Sequence, residues 1–281
     1  MAHLIAYVGN EPENVACALF SARNALYWSG KPDGWGLGFV QGGDVLLQKR
    51  PRVESGEVDL YGLVKDLRAD AVIARVGSGQ DGNTSAEDAD PFRFRSWLFG
   101  SVGDISETGF EAVRERVLES VPAFLRRNIR GRSPSEHVFH LFLAFLHDAG
   151  SLDAPSPSPA IVHGALRNSM AFLDRLLSAS AGAGSSASTS RLALVATNGR
   201  CFVAANSAHP MRYLHVEGIS DCPLPHGRVD HDRGRRIPHE NLNAVIVEAN
   251  RAVEARGGWR DVPERSALIV GADRKPVISP L

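Results

Sequence analysis

Lys31-Pro32-Asp33-Gly34-Trp35-Gly36-Leu37-Gly38-Phe39-Val40 is the stretch from which the reading of this chain starts. Residues 35–40 read as a strand, and Gly42-Gly43-Asp44 turns that strand into a second one over 45–48, a hairpin signal. Upstream, residues 4–8 form a short apolar strand stopped by Gly9-Asn10-Glu11-Pro12, and a helix is predicted over 16–25. Downstream, residues 71–76 form another strand core. The Gly, Ser, Asp and Asn content of 77–90 marks a long surface loop, and 97–99 resumes an extended pattern that stops near Gly103-Asp104.

The middle of the chain is helical. Val113, Val117 and Val121 recur at helical spacing over 110–121. A helix over 134–149 has a clear start: Ser133 as cap, Pro134 in the first turn and Glu136 to complete a capping box. A third helix is predicted over 161–177. Residues 179–190 are almost all Ala, Gly, Ser and Thr, too poor in apolar surface to pack, and read as a mobile loop. Strands return at 192–197 and 201–204 around Asn198-Gly199, then at 213–216, 244–247 and 267–270. Strands, then helices, then strands predict an α+β domain of stacked layers rather than repeated βαβ units.

Composition narrows the function classes. Apolar residues make up 43% of the 281 and charged residues 22%, as in an ordinary globular protein. A formal net charge of -1 supplies no general attraction to nucleic acid or to an anionic membrane. No apolar run approaches the roughly 20 residues that span a bilayer, and the N-terminal stretch lacks signal-peptide character, so cytoplasmic residence is expected. Cys17, Cys201 and Cys222 are odd in number and form no CxxC pair, which argues against a disulfide framework or zinc ribbon. Residues 222–239 hold His226, Asp230, His231, Asp232 and His239, yet their spacing matches no compact metal motif. No metal or cofactor is expected.

Four pieces of the chain belong together: Met1-Ala2-His3-Leu4; Pro32-Asp33-Gly34-Trp35-Gly36; Asp90-Pro91-Phe92 with Trp97-Leu98-Phe99-Gly100-Ser101-Val102-Gly103; and Ser133-Pro134-Ser135-Glu136-His137-Val138-Phe139. In order and spacing this set resembles class II glutamine amidotransferases of the small stand-alone kind. There the corresponding runs are Met-Cys-x-Leu, PDGWGxG, His-Pro-Phe with W-x-F-A-H-N-G, and T-D-S-E-H-L-F. The resemblance implies one domain over 1–281 with the four-layer αββα sandwich of N-terminal nucleophile hydrolases.

It also implies what this chain lacks. In that family a cysteine exposed by removal of Met1 is the nucleophile, with its own α-amine as base; here the position is Ala2. The family's oxyanion-stabilising asparagine falls at Val102, a kind of loss that costs about 3 kcal/mol in a working hydrolase. The arginine that clamps the substrate carboxylate, in a family run H-V-R-x-A-T, falls at Gly77. Arg75 shares a strand face with Gly77 but starts roughly 6–7 Å away, a poor stand-in. The aspartate that receives the substrate ammonium falls at Pro134. Gly103 is kept and reads as a turn residue.

No catalytic residue is therefore assigned, and glutaminase activity is not expected. Asp33, Gly34, Trp35, Ser101 and Gly103 are candidate lining of the old pocket. Two candidate interfaces accompany them: the aromatic loop with Phe92, Phe94 and Trp97, and the basic stretch with Arg126, Arg127, Arg130 and Arg132, whose plainer reading is a salt-bridged solvent face. The function expected is that of an inactive amidotransferase-like scaffold or subunit with a protein partner or a second copy of itself. A hydrolase using other residues and a small-molecule sensor in the old pocket are the alternatives. Cys17 and Cys201 read as buried thiols, and His137 and His140 as helix-packing residues.

Overall fold

The computed structural model describes residues 2–28, 34–50, 58–77, 85–104, 107–180, 190–220, 239–249 and 257–281. Its centre is β1 (His3–Gly9), in which all seven residues are buried. That burial follows from position. β1 lies within a seven-stranded sheet, between β12 (Asn243–Ala249) and β6 (Ala71–Gly77), with a second sheet on one face and helices on the other.

From β6 the first sheet continues through β3 (Gly34–Gln41) to β4 (Asp44–Arg50). From β12 it continues through β11 (Met211–Glu217) to β13 (Trp259–Asp261). The second sheet runs in the order β15 (Pro276–Pro280), β14 (Ser266–Val270), β10 (Phe202–Asn206), β9 (Arg191–Thr197), β8 (Trp97–Asp104) and β7 (Phe92–Phe94). Neighbouring strands in both sheets are antiparallel. A two-residue pair, β2 (Tyr27–Trp28) with β5 (Val58–Asp59), stands apart.

Leu4, Ile73, Leu98, Val102, Val195 and Val247 fill the space between the sheets. The other face of the first sheet packs Ile5, Tyr7 and Leu37 under α1 (Val15–Ser21) and α2 (Leu60–Val64). The other face of the second sheet packs Phe99 and Leu194 against α3 (Glu107–Glu119), α5 (Pro134–Asp148) and α6 (Pro159–Ser180); α4 (Ala123–Arg126) is a single turn between α3 and α5. The layers are α, β, β, α, as the resemblance implies.

The hairpin read from the opening stretch is present. Gly42 and Gly43 have φ of 59° and 91°, the double positive φ of a type I′ turn, and Gln41 pairs with Asp44. The glycines of β3 serve the contact between sheets. A Cβ on Gly36 would fall 2.0 Å from the Asp90 carbonyl oxygen, and one on Gly38 would fall 2.4 Å from a Leu98 methyl. Trp35, Leu37 and Phe39 alternate with them and pack toward the helices.

Local details differ from expectation. The first helix stops at Ser21, and a 3-10 turn covers Arg23–Ala25. Ser133 does cap α5, accepting from Ser135 N, but no capping box forms: Glu136 accepts from the backbone N–H groups of Arg130 and Gly131, while Ser133 N donates to Asp88. Asn198-Gly199 opens a longer loop in which the Asn198 side chain accepts from the N–H groups of Arg200 and Cys201. Of the expected 179–190 loop, residues 181–189 lie outside the described residues.

Thermal melts check the packing argument. Gly36→Ala, which sets a methyl against backbone, is expected to destabilise by about 2 kcal/mol or more. Gly164→Ala, in α6 with no heavy atom within 4 Å of the added carbon, is expected to stabilise by about 0.5–1 kcal/mol.

Candidate functional site

Ala2 leads into β1 and is half-buried against the core between the sheets. His3 pairs with Val76, which sets Ala2 beside Gly77, and Gly34 pairs with Gly77 from the other side. These three positions of the sequence reading are therefore brought together. The contact between two of them is tight: a Cβ on Gly77 would lie 2.5 Å from the Ala2 Cα and 2.7 Å from its Cβ. No side chain fits at position 77 while the main chain of Ala2 runs where it does.

The start of β1 is also pinned. On the face of the sheet away from Leu4, His3 Nε2 lies 3.1 Å from Glu248 on β12, and Arg212 Nε on β11 donates to the same carboxylate at 2.6 Å. Burial works to raise the Glu248 pKa, but the His3 and Arg212 interactions outweigh it and hold the group below the usual carboxylate range. The Arg212 guanidinium in turn lies over the Trp259 ring, 4.6 Å from its centroid.

Val102, on the facing sheet, is buried between the sheets and packs with Leu4 and Val195. Gly103 is not a turn residue: it lies within β8 opposite Leu192, with φ of 130° and the Arg191 carbonyl oxygen 2.0 Å from where a Cβ would sit. Pro134 is the first helical residue of α5. Trp35 packs toward the helix layer and does not line the space between the sheets. Asp33 lies outside the described residues.

Arg75 does not bend back toward Gly77. Its Nη1 lies 3.5 Å from Oδ2 of Asp90, whose side chain is 1% exposed. Asp90 Oδ1 accepts from Ser101 N at 2.8 Å and from Ser101 Oγ at 3.3 Å. Burial raises the Asp90 pKa, opposed by Arg75 and by the Ser101 bonds. Ser101 Oγ and Ser135 Oγ share a hydrogen bond of 2.6 Å, which ties this network to the first turn of α5.

Lys49 borders the same region. Its Nζ donates to the Ala86 carbonyl and lies 4.8 Å from the Phe92 ring centroid, and burial lowers its pKa against the pull of Asp90, Glu136 and Asp88. Asp88 and Glu136 bind backbone N–H groups of residues 130–133. Sequence reasoning missed this fastening of 85–91 to 130–136. Its one local signal is Asp90, set where the resembled family has histidine; Arg75 likewise stands where that family has the histidine of H-V-R. Two positions that are histidines there carry an ion pair here.

The chemistry of the arrangement is limited. The hydroxyls of Ser101 and Ser135 bond each other, and that of Ser101 also bonds the buried Asp90 carboxylate, with no imidazole among their described partners. Among the described residues no group of three or more His, Cys, Asp or Glu could hold a metal ion. Residues 222–238 of the metal-ligand candidate segment lie outside the described residues. His239 is described, and its Nε2 lies 3.1 Å from Cys17 Sγ. Cys201 is buried, and burial pushes its thiol up to about 12.

The expected aromatic interface is not exposed. Phe92 and Trp97 are core residues, with Trp97 Nε1 donating to the Leu152 carbonyl, and Phe94 is half-buried against His140. These rings complete the apolar layer between the second sheet and α5 instead of forming a loop tip. His137 and His140 each bond a carbonyl four residues back and pack on Phe110 and Phe139.

Comparison with known proteins accords with this architecture. A family model described as glutamine amidotransferases class-II matches residues 1–215. No curated protein matches the sequence. Among solved structures, a glutamine aminotransferase class-II domain protein from Silicibacter pomeroyi aligns with a TM-score of 0.60 and 18% identity, over 99% of this chain and 98% of that one. A predicted glutamine amidotransferase from Pseudomonas aeruginosa aligns at 0.57 and 14%, over 98% and 99%. The glutamine phosphoribosylpyrophosphate amidotransferase from B. subtilis, complexed with ADP and GMP, aligns at 0.52 and 12% over 99% of this chain, which spans 49% of that enzyme. At these identities the likeness is one of fold. Among the described residues no helix is long and apolar enough to cross a membrane.

Burial lowers the His140 pKa from 6.5 to about 4. Its folded pKa lies below its unfolded one, so its contribution is whole above pH 6.5 and lost as pH falls toward 4, by roughly 3 kcal/mol at 1.36 kcal/mol per pKa unit. Urea denaturation across that range should show the decline, and His140→Phe should flatten it.

Proposed function

We propose that this chain, which belongs to the class II glutamine amidotransferase family, is a member without glutaminase activity whose fold serves as a protein-binding subunit. The observation that carries the first part is the contact of Ala2 with Gly77. A methyl group stands at the nucleophile's position, and its main chain occupies the space that a clamping side chain at 77 would need. Val102 adds an apolar side chain where an oxyanion needs a donor, and Arg75 is engaged by Asp90.

The binding part is supported by α4 and the turn after it. Arg126, Arg127, Arg130 and Arg132 are exposed, and among the described residues no carboxylate forms an ion pair with them. Among the described residues, then, no salt bridge covers this face. Its charge remains available to the acidic groups of a partner, for which guanidinium is a suitable donor.

Purified protein given glutamine is expected to release no ammonia above the buffer control, and Ala2→Cys alone is expected to stay inactive. Ammonia released by the unaltered chain would overturn the first part. For the second part, native purification with mass spectrometry should identify a stoichiometric protein. The triple variant Arg126→Glu, Arg127→Glu, Arg130→Glu should lose that protein while keeping its melting temperature; retention of the same partner would remove the arginine surface from the proposal.

A further inference from the structure

Between α3 and α5, residues 120–135 carry four arginines and no aspartate or glutamate, on a chain of formal net charge -1. α4 and the turn after it bring Arg126, Arg127, Arg130 and Arg132 to the surface, where all four are exposed. Among the described residues only Arg126 engages its guanidinium, donating to the Val121 carbonyl at 3.3 Å. Two short bonds continue α4 by a turn, Asn128 N to the Leu125 carbonyl and Ile129 N to the Arg126 carbonyl, so Arg126 and Arg130 stand about one turn apart.

The main chain of this turn is clamped from the inside. Four consecutive N–H groups donate to two carboxylates. Arg130 N and Gly131 N donate to the two oxygens of Glu136 at 3.0 and 2.7 Å, and Arg132 N and Ser133 N to Asp88 Oδ1 at 2.5 and 2.9 Å. Ser85 Oγ donates to the other Asp88 oxygen at 2.9 Å. Gly131 admits both acids: a Cβ there would fall 2.3 Å from Asp88 Oδ1 and 3.1 Å from Glu136 Oε2. Asp88 and Glu136 are thus engaged by main-chain amides and form no ion pair with the arginines whose backbone they hold.

We propose that this arginine face docks an acidic peptide segment of a partner protein, and that Asp88 is its positioning residue. The inference rests on the protein-binding reading above and names both the occupant and the group that prepares the surface for it. A guanidinium takes a carboxylate through paired N–H donors, and four of them at fixed main-chain spacing suit a run of carboxylates in one register. With residues 130–133 anchored beforehand, binding has to order side chains and not the whole turn, which lowers its entropic cost. A nucleic acid strand is a poorer fit, because beyond this turn the chain offers it no excess of positive charge. Asp88 therefore favours the binding of an anion although it is itself an anion.

Those opposed signs make the test. Fluorescence anisotropy of a labelled oligoglutamate peptide titrated with the purified chain should show saturable binding that weakens with added salt, and the Arg126→Glu, Arg127→Glu, Arg130→Glu variant should lose it. Asp88→Ala removes a negative charge together with the acceptor for two N–H groups. Arg132 is exposed and Ser133 half-buried, so water can replace that acceptor and the melting temperature should hold. Charge alone would make this variant bind more tightly; loss of the anchor should make it bind about three- to tenfold more weakly. Asp88→Asn loses the charge but keeps the acceptor oxygen, and should bind at least as tightly as the unaltered protein. Gly131→Ala changes no charge and should weaken binding as Asp88→Ala does. Tighter binding by Asp88→Ala, equal affinities for its Ala and Asn variants, an oligouridylate that binds more tightly than the peptide, or no peptide binding at all overturns the proposal, while co-purification decides the protein-binding reading separately.

Discussion

Two sheets that meet through glycine set the terms for the rest of this molecule. Gly36 accepts the Asp90 carbonyl against its Cα, Gly38 accepts Leu98 and Pro91, and Gly100 accepts Ile73 and Leu4. With side chains at these positions the 85–91 segment could not lie against β3. Because it does, the Asp90 carboxylate is buried, and a buried carboxylate demands donors. Ser101 supplies two of them and Arg75 supplies charge. The commitment of Arg75 thus follows from the packing of the sheets: a guanidinium drawn to Asp90 is not free to act two residues away.

How much of this the sequence revealed depends on the range of each interaction. The Gly42-Gly43 turn and the Ser133-Pro134 helix start were legible because their causes lie within four residues of the effect. The capping box was misread because the donor it needed, Ser133 N, is taken by Asp88, 45 positions earlier in the chain. β15 was missed because two prolines in five residues argue against a strand, although at a free edge they cost no ladder bond. Phe92, Phe94 and Trp97 looked like an exposed loop because periodicity cannot show that a three-residue strand pairs there. The contact between Cys17 and His239 spans 222 positions and has no local trace.

Ala2, Gly77, Val102 and Pro134 read as parts of one packing solution. Val102 fills the core between the sheets that Leu4 and Val195 help to form. Pro134 occupies the one turn of a helix where its missing N–H costs nothing. Each of these residues suits its surroundings through packing alone.

The decisive case is Gly77. The atoms that exclude a side chain there include the Ala2 Cα, which every residue at position 2 possesses. Another side chain at 2 would therefore leave position 77 as closed as before; the main chain would have to move. It is poorly placed to do so. β1 is buried on both faces and hydrogen-bonded along both edges, so a slip by one residue would turn its apolar side chains to the wrong layers. His3, next to Ala2, is held by Glu248, which Arg212 holds in turn; breaking such a buried set by removing one member costs several kcal/mol, roughly 3–5. The exclusion of a side chain at 77 is thus built into the path of the central strand, and a change of side chains alone would not reverse it.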